Sequence, residues 1–189
     1  MKPSAPFVTV VSGSPRNGTA LMMHMLLSGG LEVLVDGAHR PGEPDPHGYF
    51  DYAPSLMLDV ESSTSDWVAS AQGMAVKVMP YQLQYLSPAF DYRVVFVCRE
   101  VGDVLDSWEA MGLVRAAFTP REGEADQAAG IDSVAFEAKL LRQPRLRTLF
   151  VRYLDLTADP AEQAARVAAF LGLPLDAGAM AAAADATRR

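Results

Sequence analysis

Phe7-Val8-Thr9-Val10-Val11-Ser12-Gly13-Ser14-Pro15-Arg16-Asn17-Gly18-Thr19-Ala20-Leu21 opens as an apolar, β-branched run, breaks at a glycine, and re-emerges from a short turn as a stretch of helix formers. A strand that does not alternate with polar residues is one buried on both faces, as in a parallel sheet. From Thr19 to Ser28 the Met and Leu residues fall where a helix would bury them, and Gly29-Gly30 stops the segment. The reading is strand, tight turn, helix. Gly13 and Gly18 are spaced as in G-x-x-x-x-G, and a position between a buried strand and a helix is the setting a phosphate loop needs. Backbone N–H groups of such a turn surround an anion, and Arg16 adds formal charge. The plainer alternative is a turn whose glycines serve sterics alone. Thr19 and Ala20 stand where a Walker loop has Lys and a Mg²⁺-binding hydroxyl, which argues against an ATPase or kinase.

Outward from this unit, Leu31 to Val35 predicts a short second strand, followed by a Pro-, Gly- and Asp-rich loop from Asp36 to Gly48. Met74 to Met79 predicts a buried strand carrying Lys77, and Tyr92 to Cys98 another that ends at Arg99. Helices are expected over Val101 to Met111, from about Ile131 to Arg142, over Pro160 to Leu171 with Gly172 behind it, and over the Ala-rich Ala177 to Ala186; Leu146 to Arg152 is a further strand. Strands alternating with helices give an α/β class: a three-layer, P-loop-type fold with a mainly parallel central sheet flanked by helices. With 189 residues, half of them hydrophobic, the expectation is one domain over residues 1–189.

The net charge of -7 argues against a nucleic-acid binder but leaves room for one anionic ligand held by a few converging cations, with Arg16, Lys77 and Arg99 placed beside strand-like runs. No apolar stretch is long enough for a bilayer, and Met1 to Pro6 lacks the pattern of a secretory signal. Cys98 alone forms no intrachain disulfide, so a cytoplasmic location is expected and Cys98 reads as a small core residue. His24, His39 and His47 show no metal-site spacing, and no metal is expected.

Four segments, Ser12 to Leu21, Pro46-His47-Gly48-Tyr49-Phe50-Asp51, Ala75 to Met79 and Tyr92 to Ser107, with a supporting tail from Val151 to Leu175, together resemble the P-loop sulfotransferase superfamily and its small bacterial members. That resemblance implies 3′-phosphoadenosine 5′-phosphosulfate (PAPS) as donor and a hydroxyl or amine acceptor on a small molecule, glycan or lipid. It implies that Ser14, Pro15, Arg16, Asn17, Gly18, Thr19, Ala20 and Leu21 line the 5′-phosphosulfate, and that Arg99, with Ser107 eight residues later, holds the 3′-phosphate. An Arg presents a planar fork to phosphate and a Ser a hydroxyl; a surface ion pair of Arg99 with Glu100 or Asp103 is the bland reading. Asn17 and Ala20 depart from the family's usual Ser and Ser or Thr, and the Arg-Lys-Gly loop of many animal enzymes has no counterpart.

For sulfuryl transfer, Arg16 is the candidate for the leaving phosphate and Lys77 for the sulfuryl or bridging oxygen; a strand-end Lys that merely snorkels is the alternative. The family's animal enzymes carry a base His two residues after this Lys, where this chain has Met79. Asp51, slightly ahead of His47, is therefore the candidate base, and either residue also reads as an ordinary loop residue. Tyr49, Phe50, Tyr81, Tyr85 and Trp108 serve equally as walls of an acceptor pocket or as core. Two other functions stay open: a flavodoxin-like FMN-binding oxidoreductase, whose phosphate loop also resembles Gly13 to Gly18, and a non-catalytic nucleotide- or partner-binding module of the same fold. A homodimer is compatible with the sequence, although no segment specifies one.

Overall fold

A computed structural model describes residues 7–13, 17–36, 50–58, 66–98 and 144–186. Their elements, in chain order, are β1 (Val8–Ser12), α1 (Thr19–Ser28), α2 (Ala53–Leu56), α3 (Asp66–Ser70), β2 (Ala75–Lys77), a 3₁₀ turn (Pro80–Tyr85), β3 (Tyr92–Cys98), β4 (Leu146–Arg152), α4 (Tyr153–Ala158), α5 (Pro160–Leu171) and α6 (Ala177–Ala186). The expected helices over residues 101–111 and 131–142 lie outside the described residues, as does most of the loop after Asp36.

The strands form a parallel sheet in the order β2-β1-β3-β4. β1 is flanked on both sides, which is why its five residues are all buried and why its sequence shows no polar alternation. Successive side chains leave opposite faces of a strand, and the core divides accordingly. Val11, Val95, Val97 and Val151 meet Met22, Met25 and Leu26 of α1, Val167 and Leu171 of α5, and Met180 of α6. Val8, Val10, Val76, Val94 and Phe96 face the other way, onto Leu58, Val68, Leu83 and Leu86. The described chain is thus helix, sheet, helix in three layers.

Where local signals were strong the element ends match expectation: α1, β3, β4, α5 and α6 begin and stop at the residues read from the sequence. In α5 the Asp159 carboxylate accepts from the Glu162 N–H at 2.9 Å, Pro160 occupies the first turn, and Gly172 closes the helix in the left-handed region at φ 58°. The expected strand from Leu31 to Val35 is a correction. Only Val33 makes a bridge, parallel to Ala75, because Ala75 donates to the Glu32 carbonyl and accepts from the Leu34 N–H while no further rung follows. β2 is also shorter than its apolar run: Val78 still donates to Val11, but Pro80 has no N–H and starts the 3₁₀ turn. The short helix α4 was not expected, since its Thr157 hydroxyl and mixed polarity give no periodic signal; that hydroxyl bonds the Tyr153 and Leu154 carbonyls.

Tyr92 begins β3 almost fully buried, and its hydroxyl donates to the Ser87 carbonyl at 2.9 Å. Burial pushes the phenol up from 10.0 to about 12, with the charge of Arg145 pulling the other way. Because the folded value lies above the unfolded one, the neutral phenol's contribution is complete below pH 10 and is lost as pH rises toward 12. Tyr92→Phe is expected to cost about 1 kcal/mol in urea unfolding at neutral pH, by loss of one hydrogen bond. It is also expected to flatten the decline in stability that the unmodified protein shows when the same unfolding is measured at about pH 11.

Candidate functional site

Because β1 has β2 on one side and β3 on the other, the carboxyl ends of β1 and β3 form the switch point at which open parallel sheets bind ligands. The turn after β1 is fixed there by two close approaches. A Cβ on Gly13 would lie 2.5 Å from the Val97 carbonyl oxygen, and one on Gly18 would lie 2.4 Å from the Tyr153 ring. Gly18 also has φ 91°, a conformation that L side chains adopt at a cost. Both glycines of the G-x-x-x-x-G pattern therefore have a steric reason in the described structure. Asn17 is 6 % exposed, and its Nδ2 donates to the same Val97 carbonyl at 3.4 Å. The amide expected to face an anion is thus engaged with strand β3, and its Oδ1 has no partner among the described residues.

Gly18 caps α1 without a side-chain bond, and the first turn contains no acidic residue. The N–H groups of Thr19, Ala20 and Leu21 precede the first intrahelical acceptor pairing, Met22 to Gly18, so α1 presents donors with no partner among the described residues, and the positive end of its dipole, at the switch point.

The second part of the site comes from β2. Lys77 is paired in register with Val11, so it projects to the α1 face of the sheet; it is 9 % exposed and forms an ion pair with Asp51. Asp51 arrives on a strap, residues 50–58, that crosses the carboxyl end of the sheet. Phe50 packs with the core on the α1 side, whereas Tyr52 packs on the opposite side, edge-on to Trp67 at 5.7 Å between ring centroids. The crossing turns at Phe50, a non-glycine residue with φ 53°, an outlier for a bulky side chain and a local strain.

The structure therefore brings together Lys77 and Asp51 on one hand, and Asn17, Gly18, Thr19, Ala20 and Leu21 on the other. Ser14, Pro15, Arg16, His47, Arg99 and Ser107 lie outside the described residues. Reading the sequence missed Tyr153, Ser55 and Gln82, none of which sits in a periodic pattern or charged motif; the one available signal was Gly18 itself, since a glycine at a helix start often marks a close approach. Among the described residues no cluster of His, Cys, Asp or Glu is arranged to hold a metal ion, and no helix is long and apolar enough to cross a membrane.

Gly18→Ala is expected to destabilise the protein by about 2 to 4 kcal/mol, the left-handed backbone and the displaced Tyr153 ring each contributing. Adding Tyr153→Ala should cost less than the sum of the two single changes, because the clash is then relieved; urea unfolding of the double-mutant cycle measures it.

No family model matches the sequence, and no curated protein matches it. Solved structures do match the fold. The sulfotransferase domain of the Synechococcus olefin synthase superposes with a TM-score of 0.55 at 17% identity, covering 95% of this chain and 78% of that one. The sulfotransferase domain of the curacin biosynthetic pathway gives 0.51 at 15% identity over 90% of this chain and 75% of that one. Retinol dehydratase, solved with androsterone and the inactive cofactor PAP, gives 0.55 at 18% identity over 98% of this chain and 65% of its own. The chain has the sulfotransferase fold, a parallel α/β sheet with the strand-turn-helix of a P-loop at its switch point.

Proposed function

We propose that this protein is a sulfotransferase that uses PAPS as donor and a hydroxyl or amine as acceptor. The observation that carries the reading is that the start of α1, which has no side-chain cap bond at Gly18, and the Lys77–Asp51 pair both lie at the carboxyl edge of one sheet, Lys77 on its α1 face. The first accommodates anionic oxygens through backbone donors, and the second supplies one fixed positive charge beside one carboxylate. Support for the donor comes from the neighbours, since retinol dehydratase and a mouse sulfotransferase with a TM-score of 0.54 at 14% identity were both solved with PAP.

In this reading Arg16 and the N–H groups of Thr19, Ala20 and Leu21 hold the 5′ end of the donor. Arg99 and Ser107 take the 3′-phosphate. The donor supplies an activated sulfuryl group and needs no metal. Lys77 places its ammonium where negative charge grows on the transferred group, and Asp51 orients that ammonium and takes the proton from the acceptor heteroatom. Asp51 is preferred to His47 as base because its carboxylate lies against Lys77. The acceptor's class, whether small molecule, glycan or lipid, is left to a screen.

Calorimetric titration with adenosine 3′,5′-bisphosphate, FMN and Mg-ATP tests the reading. Micromolar binding of the bisphosphate alone, weakened by Arg99→Ala, is the expected result; preference for FMN, or no bisphosphate binding, overturns it. With an acceptor from the screen, Lys77→Met is expected to slow sulfuryl transfer by about 10²- to 10³-fold, the size of one lost transition-state donor. Bisphosphate affinity should change far less, because that ligand lacks the sulfuryl group.

A further inference from the structure

The strap that delivers Asp51 has little structure of its own. Its one helical element, α2, spans Ala53–Leu56, too short to persist unaided. Side-chain hydrogen bonds hold it instead. The Ser55 hydroxyl, fully buried, lies 2.8 Å from the Lys77 carbonyl and 2.8 Å from the Tyr52 carbonyl. Gln82, 1 % exposed, uses both ends of its amide: Nε2 donates to the Leu56 carbonyl at 2.6 Å, and Oε1 accepts from the Met79 N–H at 3.2 Å. The Asp36 carboxylate accepts from the Ala53 N–H at 2.6 Å. Two of these ties end on the exit of β2, the strand that carries Lys77.

The connections close a ring. From the Lys77 ammonium the path runs through Asp51, along the strap to Ser55, and back by hydrogen bond to the carbonyl of Lys77 itself. Gln82 braces that ring from the far side, where a buried amide with both ends satisfied is a rigid spacer and one with either end unmet is costly. We propose that Ser55 and Gln82 are positioning residues of the site: they act through Asp51, by fixing where its carboxylate meets Lys77. The catalytic meaning of this positioning rests on the sulfotransferase reading; the positioning itself does not.

The test uses the full chain without ligand. The sequence has three lysines, Lys2, Lys77 and Lys139, so pulsed acetylation read by mass spectrometry reports Lys77 against two internal references. In the unmodified protein Lys77 should label slowly, since its side chain is 11% exposed and paired. Asp51→Asn, Ser55→Ala and Gln82→Met should each raise its relative rate on the order of tenfold, as a part-buried ammonium loses its pairing with the Asp51 carboxylate. Ser55→Thr, which keeps the hydroxyl, should label like the unmodified protein. The double variant Asp51→Asn/Gln82→Met should label no faster than Asp51→Asn alone, the signature of a residue acting through Asp51. Folded Ser55→Ala and Gln82→Met variants with the original Lys77 rate would overturn the proposal, as would additive effects in the double variant. If Gln82→Met does not fold, Ser55→Ala and its Thr counterpart decide. No donor is present, so failure here and failure of bisphosphate binding are separate results.

Discussion

The carboxyl edge of this sheet depends on the ladder between β1 and β3, which runs in register from Val8 and Tyr92 to Ser12 and Phe96, and on the Val97 carbonyl just beyond it. That carbonyl is approached by the α-carbon of Gly13 and accepts the side-chain amide of Asn17. The side-chain amide thereby supplies a donor to the carbonyl just past the end of the ladder. Gly13 and Asn17, on either side of the strand-to-helix connection, are in this way both seated on β3. A turn held so close to backbone leaves no room for a Cβ at Gly13, and Tyr153 leaves none at Gly18.

The two halves of the site are held by different forces. The turn and α1 are set by backbone sterics and by the burial of Met22, Met25 and Leu26, each apolar side chain contributing about 1.5 to 3 kcal/mol. The strap with Asp51 is set by a few buried side-chain hydrogen bonds, each worth about 1 kcal/mol net but costly to leave unmade. The ion pair it serves is a poor device for stability, because removing two charges from water offsets most of their attraction. A well-packed apolar pair would hold the edge as well, and under the proposed function the charges at this position serve the chemistry.

Met79 shows how the parts substitute for one another. Its side chain stands where the resembled animal enzymes have a base histidine, yet its backbone N–H bonds Gln82, which in turn bonds the strap bearing Asp51. Under the proposed mechanism the base has moved from the strand exit to the strap, and the vacated position has become part of what holds the strap in place.

From the sequence by itself came the α/β class, the parallel character of the sheet, and the ends of α1, β3, β4, α5 and α6, because these follow from local rules: apolar periodicity, glycine stops and a proline start act within a few residues. The strand-to-helix connection between Gly13 and Gly18 was legible for the same reason, as was the place of Lys77 on a buried strand. Tertiary structure alone decided the rest. Whether Leu31 to Val35 becomes a strand depends on what β2 offers beside it, and β2 offers one bridge. That the Asn17 amide serves Val97, that Tyr153 closes over Gly18, and that Ser55 and Gln82 hold Asp51 against Lys77 are contacts between residues far apart in the chain. Hydrogen bonds and close packing of that kind leave no periodic trace in a sequence, since each is satisfied by geometry that exists only once the sheet has formed.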